Sequence, residues 1–160
     1  MLHTIESDTP FDVVFLDFWE PGDITDLDGS LNILTCLDFM TIFGLGSAIG
    51  MKEITSDQAA LWDFGNFFVP FRIPKMIVVD ANGIFSGILK KTFQETLLTP
   101  VHTVVRGNQK AIINEGFHRY LNKVHKTNSS DKGSLHQWSQ GILFTLYAWN
   151  SGQVDGTDIA

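Results

Sequence analysis

This chain of 160 residues offers little basis for disulfide chemistry or covalent catalysis. It contains one cysteine, so no disulfide can form within the chain, and a reducing compartment fits. Cys36 lies in the apolar run of residues 33–37, which predicts a buried structural thiol rather than a nucleophile. The sequence has no Gly-x-Ser-x-Gly motif and no credible Ser–His or Cys–His arrangement. Any catalytic chemistry must therefore depend on other side chains.

Long apolar runs are also missing. The longest, residues 39–51 and 141–149, are too short to cross a bilayer. The first ten residues are polar and acidic, unlike a signal peptide. We therefore expect a soluble protein with no membrane partner. The composition predicts one core domain over residues 11–150, between an N-terminal extension (1–10) and a polar C-terminal tail (151–160).

Positive charge is scarce in the chain, but it is concentrated. The formal net charge of −7 argues against simple nucleic-acid binding. Residues 1–84 hold 13 Asp and Glu against 3 Lys and Arg, whereas residues 85–132 hold 8 Lys and Arg against 3 Asp and Glu. An acidic half beside a basic stretch suits a site that binds metal on one side and phosphates on the other. An ordinary acidic domain with one solvated basic helix explains the distribution equally well.

Hydrophobic patterning predicts an α/β fold. Continuous apolar runs, typical of strands buried on both faces, occupy residues 13–16 and 76–79, and an aspartate follows each run. Further patterns predict three more strands, at residues 32–38, 43–50 and 101–105. Apolar residues at helical spacing predict four helices, at residues 55–68, 85–97, 110–126 and 135–149. This order gives a mixed five-stranded sheet flanked by helices. Ligands in such folds gather at the carboxyl ends of strands.

The aspartates after the two apolar runs, Asp17 and Asp80, form a candidate metal site with Glu115. Either aspartate alone is explained as a residue at which the chain leaves the core. Together with Glu115, in the first turns of a helix with a polar face, they would repel one another without a cation. Hard divalent ions prefer oxygen ligands, so the set predicts two Mg²⁺ or Mn²⁺ ions. Two such ions can serve an in-line displacement at phosphorus.

Three segments resemble the catalytic core of retroviral and LTR-retrotransposon integrases. VVFLDFW at residues 13–19 is similar to the strand that carries the family's first aspartate, and DANGIFSG at residues 80–87 is similar to the segment of its second aspartate. NQKAIINEGFHRYLNK at residues 108–123 resembles the helix that carries the family's glutamate. Between Asp80 and Glu115 lie 34 residues, close to the family's D,D(x)E pattern. The resemblance covers about residues 10–150.

The resemblance implies an RNase H-like fold and a function in DNA integration. Processing of the 3′ ends of retroelement DNA by water would be followed by strand transfer from the resulting 3′ hydroxyl. Asp17, Asp80 and Glu115 would be both the catalytic residues and the metal ligands. Arg119 matches a basic position of the family that contacts DNA. Charge and position add four further candidates for DNA binding, which are Arg106, Lys110, Lys123 and Lys126.

The sequence departs from the family pattern at three positions. Asn82 and Ile112 stand where the family usually has glycine, and His118 replaces a frequent asparagine. A β-branched residue in place of glycine stiffens the approach to Glu115. No zinc-binding His/Cys module precedes the core, and no small basic domain follows it. Both an active enzyme and a degenerate copy or fragment therefore stay open.

Two other functions fit the same residues. The chain is also consistent with a non-catalytic nucleic-acid-binding domain of the same fold, and with a ribonuclease H-type hydrolase that prefers RNA–DNA hybrids. For an integrase, the resemblance implies a homo-oligomer that acts on element ends and target DNA. Such a protein belongs in the nucleus or a retroelement particle, whereas an inactive copy would be a soluble intracellular protein.

Overall fold

One mixed sheet forms the centre of the molecule. The computed structural model describes residues 7–19, 32–49, 64–80, 88–104, 109–128 and 138–152. The five strands are β1 (Val13–Trp19), β2 (Asn32–Asp38), β3 (Gly44–Ile49), β4 (Met76–Asp80) and β5 (Val101–Val104). Their order in the sheet is β3-β2-β1-β4-β5. The first three strands pair antiparallel, whereas β4 pairs parallel with both β1 and β5. The predicted mixed five-stranded sheet is confirmed.

Helices follow in the predicted order. Their bounds are a π-helical turn at Phe64–Phe68, α1 (Ile88–Lys91) continued by a π-helical turn at Thr92–Thr96, α2 (Gln109–Asn128) and α3 (Trp138–Gly152). Residues 55–63 of the first predicted helix, 85–87 of the second and 135–137 of the last lie outside the described residues. The last helix continues two residues past the predicted end of the core domain, at residue 150. Among the helices described, none combines the length and the apolar character that a membrane span requires.

The alternation of side chains along β1 divides the apolar residues between two cores. Val14 and Leu16 face the side covered by Phe67, Phe68 and Phe93. Val13 and Phe15 face the opposite side, where α2 and α3 supply Phe117, Leu121, Ile142, Leu146 and Trp149. Because successive side chains of a strand point to opposite faces, a strand covered on both sides is apolar at nearly every position. Cys36 is fully buried in the first core, as predicted.

The edge strand β3 lies unusually close to the helices of the second core. The side-chain amide of Asn150 on α3 donates to the Gly44 carbonyl oxygen at 2.9 Å and accepts from the Gly44 N–H at 2.7 Å. It thereby satisfies backbone groups that an edge strand otherwise leaves open. A Cβ atom on Gly44 would lie 2.7 Å from Cε2 of Phe117. Close packing of β3 against α2 therefore requires glycine at this position.

Gly44→Ala is expected to lower the free energy of unfolding by roughly 1–3 kcal/mol, because the added methyl group overpacks the second core. Denaturant unfolding followed by circular dichroism measures the change. Gly116→Ala is the matched control, since nothing lies within 4 Å of a Cβ at Gly116 in α2. That variant should gain about 0.5–1 kcal/mol through helix propensity. Equal changes in the free energy of unfolding for the two substitutions would contradict the close packing of Gly44 against Phe117.

Candidate active site

The strand register places Asp17 and Asp80 side by side. β1 is longer than the predicted run, because Phe18 and Trp19 still pair with β2, so Asp17 lies within the strand. Leu16 pairs with Val79 on the parallel strand β4, and the two aspartates follow at the same level. By alternation, both aspartates lie on the sheet face that α2 covers, since Phe15 and Val78 belong to the second core.

A cavity of about 450 Å³ lies between these strand ends and α2. Its lining includes all three predicted catalytic residues, Asp17, Asp80 and Glu115, together with Arg119. Asp17 is buried, Asp80 is half-buried, and Glu115 and Arg119 are exposed. The remaining lining is an apolar floor of Phe15, Leu16, Val78 and Val104, with polar groups from Asn114, His118 and Asn122. Three carboxylates distant in sequence thus converge on one cavity, while their catalytic roles stay predictions.

Asp17 is held by its own strand and by α2. Its Oδ1 accepts the backbone N–H of Phe18 at 2.8 Å, and its Oδ2 accepts Nδ2 of Asn114 at 2.7 Å. Nδ1 of His118 lies 3.7 Å from the same Oδ2. The hydroxyl of Thr35 on β2 donates to the backbone oxygen of Asp17 at 3.0 Å, and its Oγ1 lies 3.1 Å from Nε2 of His118. Asn114 and His118, one turn apart on α2, therefore bracket the carboxylate.

Burial is the largest influence on the pKa values of Asp17 and His118. Desolvation raises the pKa of Asp17 above 3.8, with a smaller upward contribution from Asp80, while His118, the Phe18 N–H and Asn114 oppose it. Desolvation lowers the pKa of His118 below 6.5, and the charge of Asp17 opposes that shift. The protein therefore makes a charged Asp17 costly, and a nearby cation would reduce the cost.

The donor set fits a hard divalent ion in its chemistry. Carboxylate oxygens are the ligands that Mg²⁺ and Mn²⁺ prefer, and Asp17, Asp80 and Glu115 supply them around one cavity. Their arrangement differs from that of a coordinated site, however. Among the described residues, no three His, Cys, Asp or Glu side chains are placed to hold a metal ion. Binding by all three carboxylates therefore requires side-chain movement, for which exposed Glu115 has the freedom.

The candidates for DNA binding are only partly described. Arg119 and Lys123 are exposed on α2, one and two turns after Glu115 respectively. The backbones of Lys110 and Lys126 belong to α2, while their side chains lie outside the described residues, as does all of Arg106. Asn122 on the same helix lines the cavity and accepts a hydrogen bond from Nε1 of Trp19 at 2.9 Å.

Three residues around Asp17 were not predicted as site residues from the sequence, namely Asn114, Thr35 and His118. Asn114 precedes Glu115, so a helical turn brings it over the end of β1, but only the fold shows that it reaches Asp17. Thr35 carries a hydroxyl group within the otherwise apolar strand β2, and it lies opposite Asp17 in the pairing of β1 with β2. A polar residue in a run that is otherwise buried was the available signal, since a buried hydroxyl needs a hydrogen-bond partner.

Comparison with known proteins identifies the fold. No family model matches the chain, and no curated protein sequence matches it. Among solved structures, the catalytic core domain of BIV integrase is similar, with a TM-score of 0.60 and 13% sequence identity. The match covers 88% of this chain and 81% of that chain. The chain therefore has the RNase H-like α/β fold of an integrase catalytic core, as the resemblance implied.

Asp17→Asn is expected to stabilise the metal-free protein at neutral pH. Because the folded pKa of Asp17 is raised, the stability from its proton is present at low pH and is lost as the pH rises from 3.8 through the folded pKa. An asparagine side chain at position 17 does not ionise, so the variant keeps this stability as the pH rises. The side-chain amide of Asn114 can rotate to accept a hydrogen bond from the new amide. Denaturant unfolding in EDTA should show a difference that grows with pH by at most about 1.4 kcal/mol per unit within this window.

The exposed residue Asp8 supplies the control for this measurement. Asp8→Asn removes a charge of the same sign outside the cavity, so it reports the effect of net charge alone. If Asp8→Asn and Asp17→Asn change stability equally at every pH, burial of the Asp17 carboxylate has no energetic consequence.

Proposed function

We propose that this chain is the catalytic core of a retroelement integrase, a metal-dependent polynucleotidyl transferase for DNA integration. It would process the 3′ ends of element DNA and join them to target DNA. The observation that carries the proposal is the convergence of Asp17 from β1, Asp80 from β4 and Glu115 from α2 on one cavity beside Arg119. The similarity of fold to an integrase core supports the same conclusion.

The carboxylates Asp17, Asp80 and Glu115 would hold Mg²⁺ or Mn²⁺. Two ions would activate the attacking oxygen and stabilise the leaving oxygen at phosphorus. The chain's own contribution is to orient the ligands and to restrict water. Asn114 and the Phe18 N–H fix the orientation of Asp17. The apolar floor of the cavity reduces solvent around the carboxylates, which strengthens their interaction with positive charge.

DNA binding is proposed for the exposed face of α2. Arg119 lies at the cavity and Lys123 one turn further along the helix, where they would contact the phosphates that flank the reacting one. Arg106, Lys110 and Lys126 are proposed to extend this contact. The cations Arg72 and Lys75 are instead engaged by buried Asp12, with Arg72 Nη2 2.9 Å from its Oδ1. Four basic residues, Lys110, Arg119, Lys123 and Lys126, belong to α2.

The proposed partners are element ends, target DNA and a second copy of the chain. Self-association is supported by α3, which has no charged residue and exposes large apolar side chains at Leu143, Phe144 and Tyr147. An active integrase would work in the nucleus or in a retroelement particle.

The catalytic proposal is tested with labelled DNA duplexes in Mg²⁺ or Mn²⁺. The chain is expected to nick or join DNA ends, and Asp17→Asn is expected to reduce the rate at least about 100-fold, because a metal ligand is lost. Asp8→Asn should retain the activity. Equal rates for wild type and Asp17→Asn would end the catalytic proposal. A preference for RNA–DNA hybrids without strand transfer would instead indicate a ribonuclease H-type hydrolase.

A second candidate is a non-catalytic DNA-binding domain with the same fold. The hydrogen bonds to Asp17 from Asn114 and Phe18 favour it, since they satisfy the carboxylate without a cation. It is favoured as well by the finding that no three potential metal ligands among the described residues are placed to hold an ion. Such a domain would bind DNA with the same affinity in Mg²⁺ and in EDTA, and Asp80→Asn would leave binding unchanged.

Either function predicts that α2 carries the electrostatic contact with DNA. Arg119→Gln and Lys123→Gln should each weaken DNA binding and reduce the slope of log affinity against log salt by about 1. Fluorescence anisotropy at several salt concentrations measures both quantities. Lys91→Gln is the matched control, because Lys91 is exposed on α1, whose continuation packs on the opposite core. If all three substitutions reduce the slope equally, binding is not confined to α2.

A further inference from the structure

The hydrogen bonds around Thr35 define how His118 presents its ring nitrogens. The Thr35 hydroxyl has one hydrogen, which it donates to the backbone oxygen of Asp17. Its Oγ1 therefore accepts from Nε2 of His118, which lies 3.1 Å away and must carry a hydrogen. In a neutral imidazole the other nitrogen is then unprotonated. The lone pair of His118 Nδ1 is thus available on the side of the ring that faces Asp17.

The carboxylate of Asp17, which is another electron-pair donor, lies on the same side of the ring as that lone pair. Nδ1 of His118 lies 3.7 Å from Oδ2 of Asp17, too far for a hydrogen bond between them. Two ligands on one ion, each bound at about 2.1 Å, stand roughly 3.0–3.4 Å apart at octahedral or tetrahedral angles. Both side chains line the cavity. A shift of a few tenths of an ångström, within the reach of two side-chain torsions, brings the pair to that separation.

We propose that His118 is a nitrogen ligand beside Asp17, which makes the site bind first-row transition-metal ions in preference to Mg²⁺. The inference deepens the proposed function and rests on its metal site, though not on DNA cleavage. Three carboxylates alone form an all-oxygen site suited to Mg²⁺, whereas an imidazole nitrogen shifts the preference toward later first-row ions such as Co²⁺ and Zn²⁺. The resembling family frequently has asparagine at this position, so the nitrogen ligand is a property of this sequence.

The surroundings of His118 are those of an oriented metal ligand. Histidine ligands usually donate their second ring nitrogen to an oxygen acceptor, which fixes the ring and its tautomer. Thr35 provides that acceptor here, and it is buried and anchored to the backbone of β2 and β1. Asn114 donates to Oδ2 of Asp17, and a carboxylate oxygen retains a second lone pair for an ion. A charged His118 paired directly with Asp17 is the competing explanation of the 3.7 Å contact.

Pulsed electron paramagnetic resonance of the purified chain with Mn²⁺ tests the inference directly. Coupling of the bound ion to an imidazole ¹⁴N nucleus is expected in the wild type and in His102→Gln, whose histidine is exposed on β5. The coupling should disappear in His118→Asn. A wild-type spectrum with bound Mn²⁺ but no ¹⁴N coupling would overturn the proposal, and this result does not depend on whether any variant folds.

Metal affinities supply the second readout. His118→Asn should weaken Co²⁺ binding, measured by its visible absorption, by at least about tenfold, as expected for a lost ligand or its support. Mg²⁺ affinity, measured by competition, should change less than threefold. Equal losses for both ions contradict a specific nitrogen ligand. Nicking of DNA in Mg²⁺ without ¹⁴N coupling would support the integrase proposal and contradict the histidine ligand. Coupling without nicking in any metal would support the histidine ligand and contradict the integrase proposal.

Discussion

Burial of β1 on both faces constrains everything around the candidate site. The strand lies in the middle of the sheet, with one core on each side, so its side chains must alternate between two apolar environments. Asp17 occupies one of the positions that face α2. Its carboxylate therefore cannot turn away into solvent without breaking the strand, and the residues of α2 must accommodate it. The location of the site follows from the pairing of β1 with its neighbours rather than from a loop.

Side chains in the first turns of α2 contact the buried carboxylate of Asp17 and stabilise its charge. A buried carboxylate without partners is costly, and Asn114, His118 and the Phe18 N–H reduce the cost. The raised pKa of Asp17 shows that desolvation still exceeds these contributions. A site that holds a carboxylate at such a cost gains from a cation, which connects the electrostatics of the fold with the proposed metal chemistry.

Much of this arrangement could be predicted from the sequence, and the reason is periodicity. The apolar runs before Asp17 and Asp80 predicted two buried strands, and the pattern over residues 110–126 predicted a helix with a polar face that carries Glu115. Asn114 and Thr35 could not be predicted in their roles. Their contacts with Asp17 join positions 97 and 18 residues apart, and such distances depend on register and helix placement, which periodicity does not report.

The sequence by itself determined the classes of side chain, the two-sided burial of the central strands and the candidate carboxylates, because these depend on local patterns and on a resemblance of motifs. Tertiary structure alone decided that Asp17 and Asp80 stand level on adjacent parallel strands, and that Thr35 turns His118 so that Nδ1 faces Asp17. The physical reason is that strand register and hydrogen-bond direction belong to pairs of segments. No single segment of the chain contains that information.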